Sequence, residues 1–294
     1  MPGYHLPYFA AAAQRIYEEF DLDVEIVYPE PGADNVRAVA SGRYDVCITS
    51  VAHYLRARSE DRELPARFVF MVARHTHMAA FCVDGRPAAH GKVIRSWGDL
   101  GGASYIGSPD SPFTREYLSL LEYLHLDPGD FVELPYDEVE AGLAAGKGDV
   151  AADYLDLSPR FADSARGHGA NVRALPFYQA GVDIYGSGLV ASTEFINTRR
   201  AALFRLRASV REALIRTRRD PEQGLAALQA RFPEATRERA LSGWRAGEPL
   251  VFVDGAEQQL GMMESDKWLR TLQYHAHTHD TPLLEPEEVY DELL

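Results

Sequence analysis

Asp153 closes the run Val150-Ala151-Ala152-Asp153-Tyr154, so a carboxylate and a phenol stand at the end of an apolar segment that looks like a buried strand. A buried carboxylate is costly unless it is paired or hydrogen-bonded. Asp153 is therefore expected to meet either an N–H of a ligand or an internal arginine. The run Ser108-Pro109-Asp110-Ser111-Pro112-Phe113-Thr114 lies between a predicted strand and a predicted helix. Unpaired N–H groups and a positive dipole at a helix start can hold an anion or a carbonyl, with Ser108, Ser111 and Thr114 supplying hydroxyls. Simple N-capping by Asp110 or Ser111 accounts for the same residues. Thr49 and Ser50 occupy a similar place after an earlier strand, and capping is again the simpler role. Tyr4, His5 and Tyr8 cluster near the start, where aromatic walls suit a flat or cationic ligand; Tyr8 suits a core equally well. Asp183 and Tyr185 lie just before an apolar strand and are candidates for a ligand-facing or hinge position.

Other residue clusters promise less. His75-Thr76-His77 and His275-Ala276-His277-Thr278-His279 could be taken for metal ligands, but no companion carboxylate motif accompanies them. A solvated helix end is expected for the second run, and no metal is expected. Cys47 and Cys82 lie in apolar runs and have no metal or redox spacing; buried thiols are expected, with a disulfide as the lesser option. No glycine-rich nucleotide fingerprint, phosphate loop or nucleophile elbow is present. With 30 basic and 44 acidic residues the net charge is −14, which argues against nucleic acid and anionic membranes as partners. No run reaches the roughly 18 apolar residues of a membrane span. The opening residues have neither a basic segment nor an apolar stretch like a secretory signal. Taken with Met1 as the true start, that implies the cytoplasm.

The elements that must position these groups repeat. Val39-Ala40-Ser41-Gly42-Arg43-Tyr44-Asp45-Val46-Cys47-Ile48-Thr49-Ser50 is echoed by Leu143-Ala144-Ala145-Gly146-Lys147-Gly148-Asp149-Val150-Ala151-Ala152-Asp153-Tyr154, with the Asp residues 104 positions apart. Each copy reads as a helix end, a glycine for the left-handed stop, a basic residue, an Asp and a small apolar strand buried on both faces. Each copy ends in polar groups, and ligands of open α/β sheets sit off the carboxyl ends of strands. Around the copies, the pattern predicts a helix over 7–20 and a strand over 21–28, followed by a loop over 29–34. Strands follow over 67–73 and 78–83, then 103–107, a helix over 113–125 and a strand over 131–134. A strand in the latter half of 181–192 returns to the first lobe. Helices then cover about 197–219, 221–231, 233–244 and 262–279.

Several of these pieces resemble the solute-binding proteins related to the yeast thiamine-pyrimidine synthase. The resemblance rests on Gly3-Tyr4-His5-Leu6-Pro7-Tyr8-Phe9-Ala10-Ala11, Phe20 to Val27, Ala40 to Asp45, Trp97 to Gly102, Gly107 to Thr114, Asp183 to Ala191, and Trp268 to Leu272. It implies a periplasmic-binding-protein-like fold of type II. That is an α/β protein of two lobes with a cleft between them, and C-terminal helices returning to lobe one. Residues 1–82 would begin lobe one, 83–188 form lobe two, and 189–294 complete lobe one. It also implies that Tyr4, His5, Tyr8, Thr49, Ser50, Ser108, Ser111, Thr114, Asp153, Tyr154, Asp183 and Tyr185 line the cleft.

The chain departs from the family in three ways. The sequence begins inside the Gly-Tyr-His loop, so the strand that normally precedes it either lies before that start or is replaced by another segment, and no signal or anchor of an extracytoplasmic receptor is seen in its opening residues. The synthase branch holds pyridoxal phosphate on a lysine, whereas the first lysine here is Lys92, and the iron-binding cysteine run is absent. No cofactor is therefore expected. The desulfinase branch uses a cysteine in the first loop, where this chain has none. The resemblance implies a receptor for an ABC-type importer, with a small aromatic or nitrogen-containing ligand and an ABC permease as partner. The alternative is an intracellular enzyme on the same fold, a decarboxylase, desulfinase or pyrimidine-synthase-like protein, in which His5 and Asp153 could pair as acid and base. Location stays open between extracytoplasmic and cytoplasmic.

Overall fold

A computed structural model describes residues 3–27, 33–279 and 281–292. The chain forms two compact units, Met1–Thr76 with Asp183–Leu294, and His77–Val182. In the first unit a short 3-10 turn at Gly3–His5 leads into helices α1 (Leu6–Ala13) and α2 (Ile16–Glu19). Helix α3 (Ala33–Ala40), strand β1 (Val46–Ser50), α4 (Val51–Glu60) and β2 (Ala66–Ala73) follow. The second unit runs β3 (Met78–Val83), β4 (Tyr105–Gly107), α5 (Pro112–Tyr123), β5 (Phe131–Glu133), α6 (Val139–Ala145), β6 (Val150–Tyr154), α7 (Ser158–Arg166) and β7 (Val172–Pro176). The chain then returns to the first unit through β8 (Ser187–Ser192). Helices α8 (Thr193–Thr198), α9 (Arg200–Arg219), α10 (Leu225–Arg231), α11 (Arg237–Val251), α12 (Ser265–His279) and α13 (Pro286–Val289) complete it.

The first unit is built on a sheet of order β1-β8-β2, with β8 antiparallel to both neighbours. Every residue of β8 is buried. Gly188 lets the strands approach there, because a Cβ would sit 2.4 Å from the Phe70 carbonyl oxygen. Tyr54, Phe68, Tyr185, Trp268 and Tyr290 fill one core of this unit, with Phe68 and Trp268 ring centroids 5.1 Å apart. The second unit has sheet order β5-β4-β6-β3-β7. Strand β4 is parallel to β5 and β6, while β3 runs antiparallel to β6 and β7. Its core includes Phe81 stacked on Phe161 at 4.1 Å and Tyr105 stacked on Tyr117 at 4.5 Å.

The repeat is present in both units. Gly42 and Gly146 adopt φ of 74° and 78°, ending α3 and α6 as the left-handed stop requires. The strands that follow differ. β6 is central and buried except at its last residue, Tyr154, whereas β1 is an edge strand and mostly half-buried. The expectation that both are buried on both faces therefore fails for β1, because its sheet offers it a single neighbour among the described residues. The helix expected over 7–20 breaks at Arg15, which takes a left-handed φ of 58°. Residues 22–27 alternate half-buried and exposed but join no ladder, so the expected strand is an unpaired extended segment. Tyr28 and most of the loop expected over 29–34 lie outside the described residues. β3, expected in lobe one, pairs with β6 and β7 and so belongs to the second unit. The helix end expected to be solvated is not so at His275, which is 4% exposed and stacks on His279 at 5.4 Å. Cys47 and Cys82 are free thiols, pushed up to about 12 and about 11 by burial.

Candidate functional site

In the second unit the end of β6 carries the most unusual chemistry. Asp153 is 2% exposed, yet among the described residues it bonds no arginine or lysine. Its Oδ2 accepts from the Tyr136 hydroxyl at 2.9 Å, and its Oδ1 from the Tyr154 backbone N–H at 2.7 Å. Burial pushes the carboxyl up to about 6, against the pull of those two hydrogen bonds and of the Arg160 charge. Arg160 is itself bonded to Glu140 at 2.8 Å. Three residues on, burial pushes Asp156 up to about 7, its own backbone N–H works the other way, and the Asp153 charge adds to the rise. His77 Nδ1 lies 3.9 Å from Asp156 Oδ1.

Aromatic rings flank this carboxylate. Phe113 stacks on Tyr136 at 5.7 Å and meets Tyr154 edge-on at 5.0 Å. His77 also meets Tyr154, edge-on, at 5.8 Å. Tyr136 is 43% exposed, and Phe113 and Tyr154 are half-buried, so solvent reaches the edge of the cluster. The sequence supplies these rings from separate elements: Phe113 from the start of α5, Tyr136 from the turn before α6, and Tyr154 and Asp153 from β6.

The strand–helix loop before α5 is occupied by its own capping. Ser111 accepts from the Phe113 N–H at 3.2 Å and is the N-cap, so capping falls to Ser111 and not to Asp110. Thr114 donates to the Ser108 carbonyl at 2.6 Å and lies 3.2 Å from the Tyr105 hydroxyl. Burial pushes Tyr105 up to about 12. A separate apolar cavity of about 340 Å3 adjoins Thr114, lined by Tyr105, Pro109, Tyr117, Leu118 and Phe131.

The first unit gathers a second set of predicted residues. The Tyr4 hydroxyl and Ser187 Oγ lie 2.8 Å apart, and Ser187 faces Ser50 across the β1–β8 ladder, next to the Thr49–Gly188 pair. Ser50 caps α4 by accepting from the His53 N–H at 3.2 Å. Thr49 is buried, its hydroxyl 3.5 Å from the Ser50 carbonyl. His5 sits between Tyr4 and Tyr8, ring centroids 6.0 and 6.3 Å away, and burial lowers it to about 4, which keeps it neutral. The Tyr8 hydroxyl is buried with no hydrogen-bond partner among the described residues.

Asp183 and Tyr185 are placed otherwise. Burial works to raise the Asp183 carboxyl, but hydrogen bonds from Lys267 and Arg270 and the charge of His75 hold it below the usual range. Tyr185 is 1% exposed, and its hydroxyl accepts from the Glu264 N–H at 2.8 Å. Both are satisfied by α12 and the loop before it. The structure thus groups Asp153 and Tyr154 in one unit, and Tyr4, Thr49 and Ser50 in the other. His5 and Asp153, the acid–base pair that the alternative enzyme reading allowed, belong to different units. Tyr136, Asp156 and Ser187 were not among the residues expected from the sequence, and His77 was weighed there only as a metal ligand. Asp156 was legible as a second acid one turn beyond Asp153; Tyr136 had no periodic signal.

Comparison with known proteins agrees with this architecture. The family model described as NMT1/THI5 like matches residues 3–224. None of the curated protein sequences matches the chain. Among solved structures, the zinc-bound ligand-binding component of an ABC-type import system from Staphylococcus aureus is 12% identical, with 99% of this chain and 93% of that one covered and a TM-score of 0.65. The alkanesulfonate-binding protein SsuA from Xanthomonas axonopodis pv. citri, bound to MOPS, is 14% identical over 98% and 95%, with a TM-score of 0.64. A mutant of DszB in complex with biphenyl-2-sulfinic acid is 14% identical over 98% and 94%, with a TM-score of 0.61. These likenesses establish the fold, that of periplasmic-binding-protein-like α/β proteins. No helix among the described residues is long and apolar enough to cross a membrane.

Proposed function

Because the chain belongs to the NMT1/THI5-like family, we propose that it is a solute-binding protein of an ABC-type importer. Its ligand is a small aromatic or nitrogen-containing compound, of the pyrimidine or thiamine-precursor kind, and its protein partner is the importer's permease. One observation carries the reading. Asp153 is a buried carboxylate whose hydrogen-bond donors among the described residues are neutral, and its donor residues Tyr136 and Tyr154 both pack on the Phe113 ring. A carboxylate accepts N–H groups, and ring faces receive a flat molecule, so the arrangement suits a ligand with both. On this reading Tyr154 supports the Asp153 site. Ser108, Ser111 and Thr114 shape the loop beside the rings, and Tyr4, His5, Tyr8, Thr49 and Ser50 are candidate ligand contacts within the first unit. Micromolar affinity needs about −8 kcal/mol, within reach of a few charge-assisted hydrogen bonds at roughly 1.5–3 kcal/mol each and one ring face.

Mass spectrometry of the small molecule released from protein purified without denaturation tests this reading. A nitrogen-bearing or aromatic compound that rebinds supports it; a bare inorganic anion as the sole rebinding species contradicts it.

The second reading, an intracellular enzyme on the same fold, draws on the same acids. Asp153 near 6 and Asp156 near 7 can change protonation close to neutrality, as general acids and bases do. Incubating the released compound with the protein separates the two readings: an unchanged mass supports binding, and a product supports catalysis.

A further inference from the structure

We infer that the solute of the second unit is an organic cation, a protonated or quaternary amine, which supplies the positive partner that Asp153 lacks. The inference rests on the solute-binding reading and narrows it. An ionised carboxylate at 2% exposure ordinarily has an arginine or lysine beside it. Here its two hydrogen-bond donors, the Tyr136 hydroxyl and the Tyr154 N–H, carry no charge.

The groups facing Asp153 sharpen the point. From the helical turn after β6 comes a second acid, Asp156. From α7 comes Arg160, whose guanidinium is bonded to Glu140 of α6 at 2.8 Å. Tyr136 is a neutral phenol held above its ordinary range by burial first and by Asp153 second, and Tyr105 of β4 is raised by burial against the pull of its Thr114 contact, with Asp153 adding to the rise. Tyr154, next to Asp153, is raised by burial and then by Glu116 of α5, with Asp153 and Asp156 adding to it. Among the described residues, Arg160 is the one cation whose charge acts on Asp153, and it is already bonded to Glu140. The whole segment 77–182 has 15 acidic against 8 basic residues. An oxyanion placed here would meet repulsion, whereas a cation would meet one buried charge and the faces of Phe113, Tyr136 and Tyr154. The negative face of an aromatic ring attracts a cation, and the more so when the contact is desolvated.

The sign of the pH response follows. Asp153 binds a cation only when ionised, so affinity falls as pH drops below about 6, the value to which burial lifts the carboxyl.

The test uses the full chain freed of any co-purified molecule, with choline chloride and sodium methanesulfonate as probes at equal ionic strength. Calorimetry and thermal melting at pH 8 and pH 5 are the readouts. The inference expects choline to bind and to raise the melting temperature at pH 8, with affinity at least tenfold weaker at pH 5 and in Asp153→Asn. Tyr136→Leu alters a half-exposed ring and keeps the test alive if Asp153→Asn does not fold; it should weaken choline at least threefold. Binding of methanesulfonate without choline overturns the cation and leaves the solute-binding reading standing. A response to neither probe overturns the cation as well. If no released compound rebinds either, the solute-binding reading falls with it.

Discussion

The Tyr136 hydroxyl lies 2.9 Å from Asp153 Oδ2 and donates to it, joining a phenol that is 43% exposed to a carboxylate that is 2% exposed. The buried charge of the second unit is thus reached through a ring at the surface. A hydrogen bond to the ionised form favours ionisation, so this contact restrains the rise that burial imposes on Asp153.

Tyr136→Phe should therefore move the Asp153 carboxyl above about 6, because burial then acts with one restraint fewer. Carboxyl-carbon chemical shifts followed through a pH titration measure this. A midpoint that stays put or falls contradicts the contact's role.

Asp156 gives a stability prediction. Its folded-state value of about 7 lies above the roughly 3.9 of an unfolded Asp. Its favourable contribution is fully present below about pH 4 and is lost as pH rises through about 7. Asp156→Asn removes that dependence, so the variant's melting temperature relative to the parent should climb between pH 5 and pH 8. His5 and His75, both lowered to about 4 by burial first, act in the opposite direction but are common to both proteins. A difference that is flat with pH contradicts the burial argument.

In the first unit, Tyr4→Phe removes the hydroxyl that faces Ser187 at 2.8 Å. The expected cost is about 1 kcal/mol in urea unfolding, since a buried hydroxyl loses one partner. A stability equal to the parent's shows that the pair contributes nothing.

Gly261 joins two constraints at one position. Its φ is +81°, and a Cβ there would lie 2.2 Å from the Phe70 ring. Gly261→Ala should destabilise by about 3 kcal/mol or more, from left-handed strain together with overpacking. Unfolding within about 1 kcal/mol of the parent contradicts this.

Much of the architecture was legible because it follows from local rules. The Gly42 and Gly146 stops, the Ser50 and Ser111 caps and the apolar runs of β2, β3 and β8 are set by nearby residues. What escaped depends on distant partners. Residues 22–27 have a strand's alternation, but alternation states which side chains face inward and not whether a neighbouring strand is there to bond. β1 reads like β6 in sequence, yet one is an edge and the other a centre strand, a property of sheet order alone. His275 looks like a solvated helix end until its burial is seen. At the site, Asp153 was visible as a carboxylate ending an apolar strand. Its donor Tyr136, 17 residues earlier, was not, because only the fold brings them together. Asp183 and Tyr185 had the right types, but α12 and the loop before it already satisfy them.

The central claim is that Asp153 holds the solute. Calorimetric titration of the parent and of Asp153→Ala with the compound recovered from the parent measures it directly, circular dichroism confirming that both are folded. If Asp153 holds the solute, the variant loses at least tenfold in affinity, about 1.4 kcal/mol or more. An unchanged dissociation constant in the folded variant contradicts it.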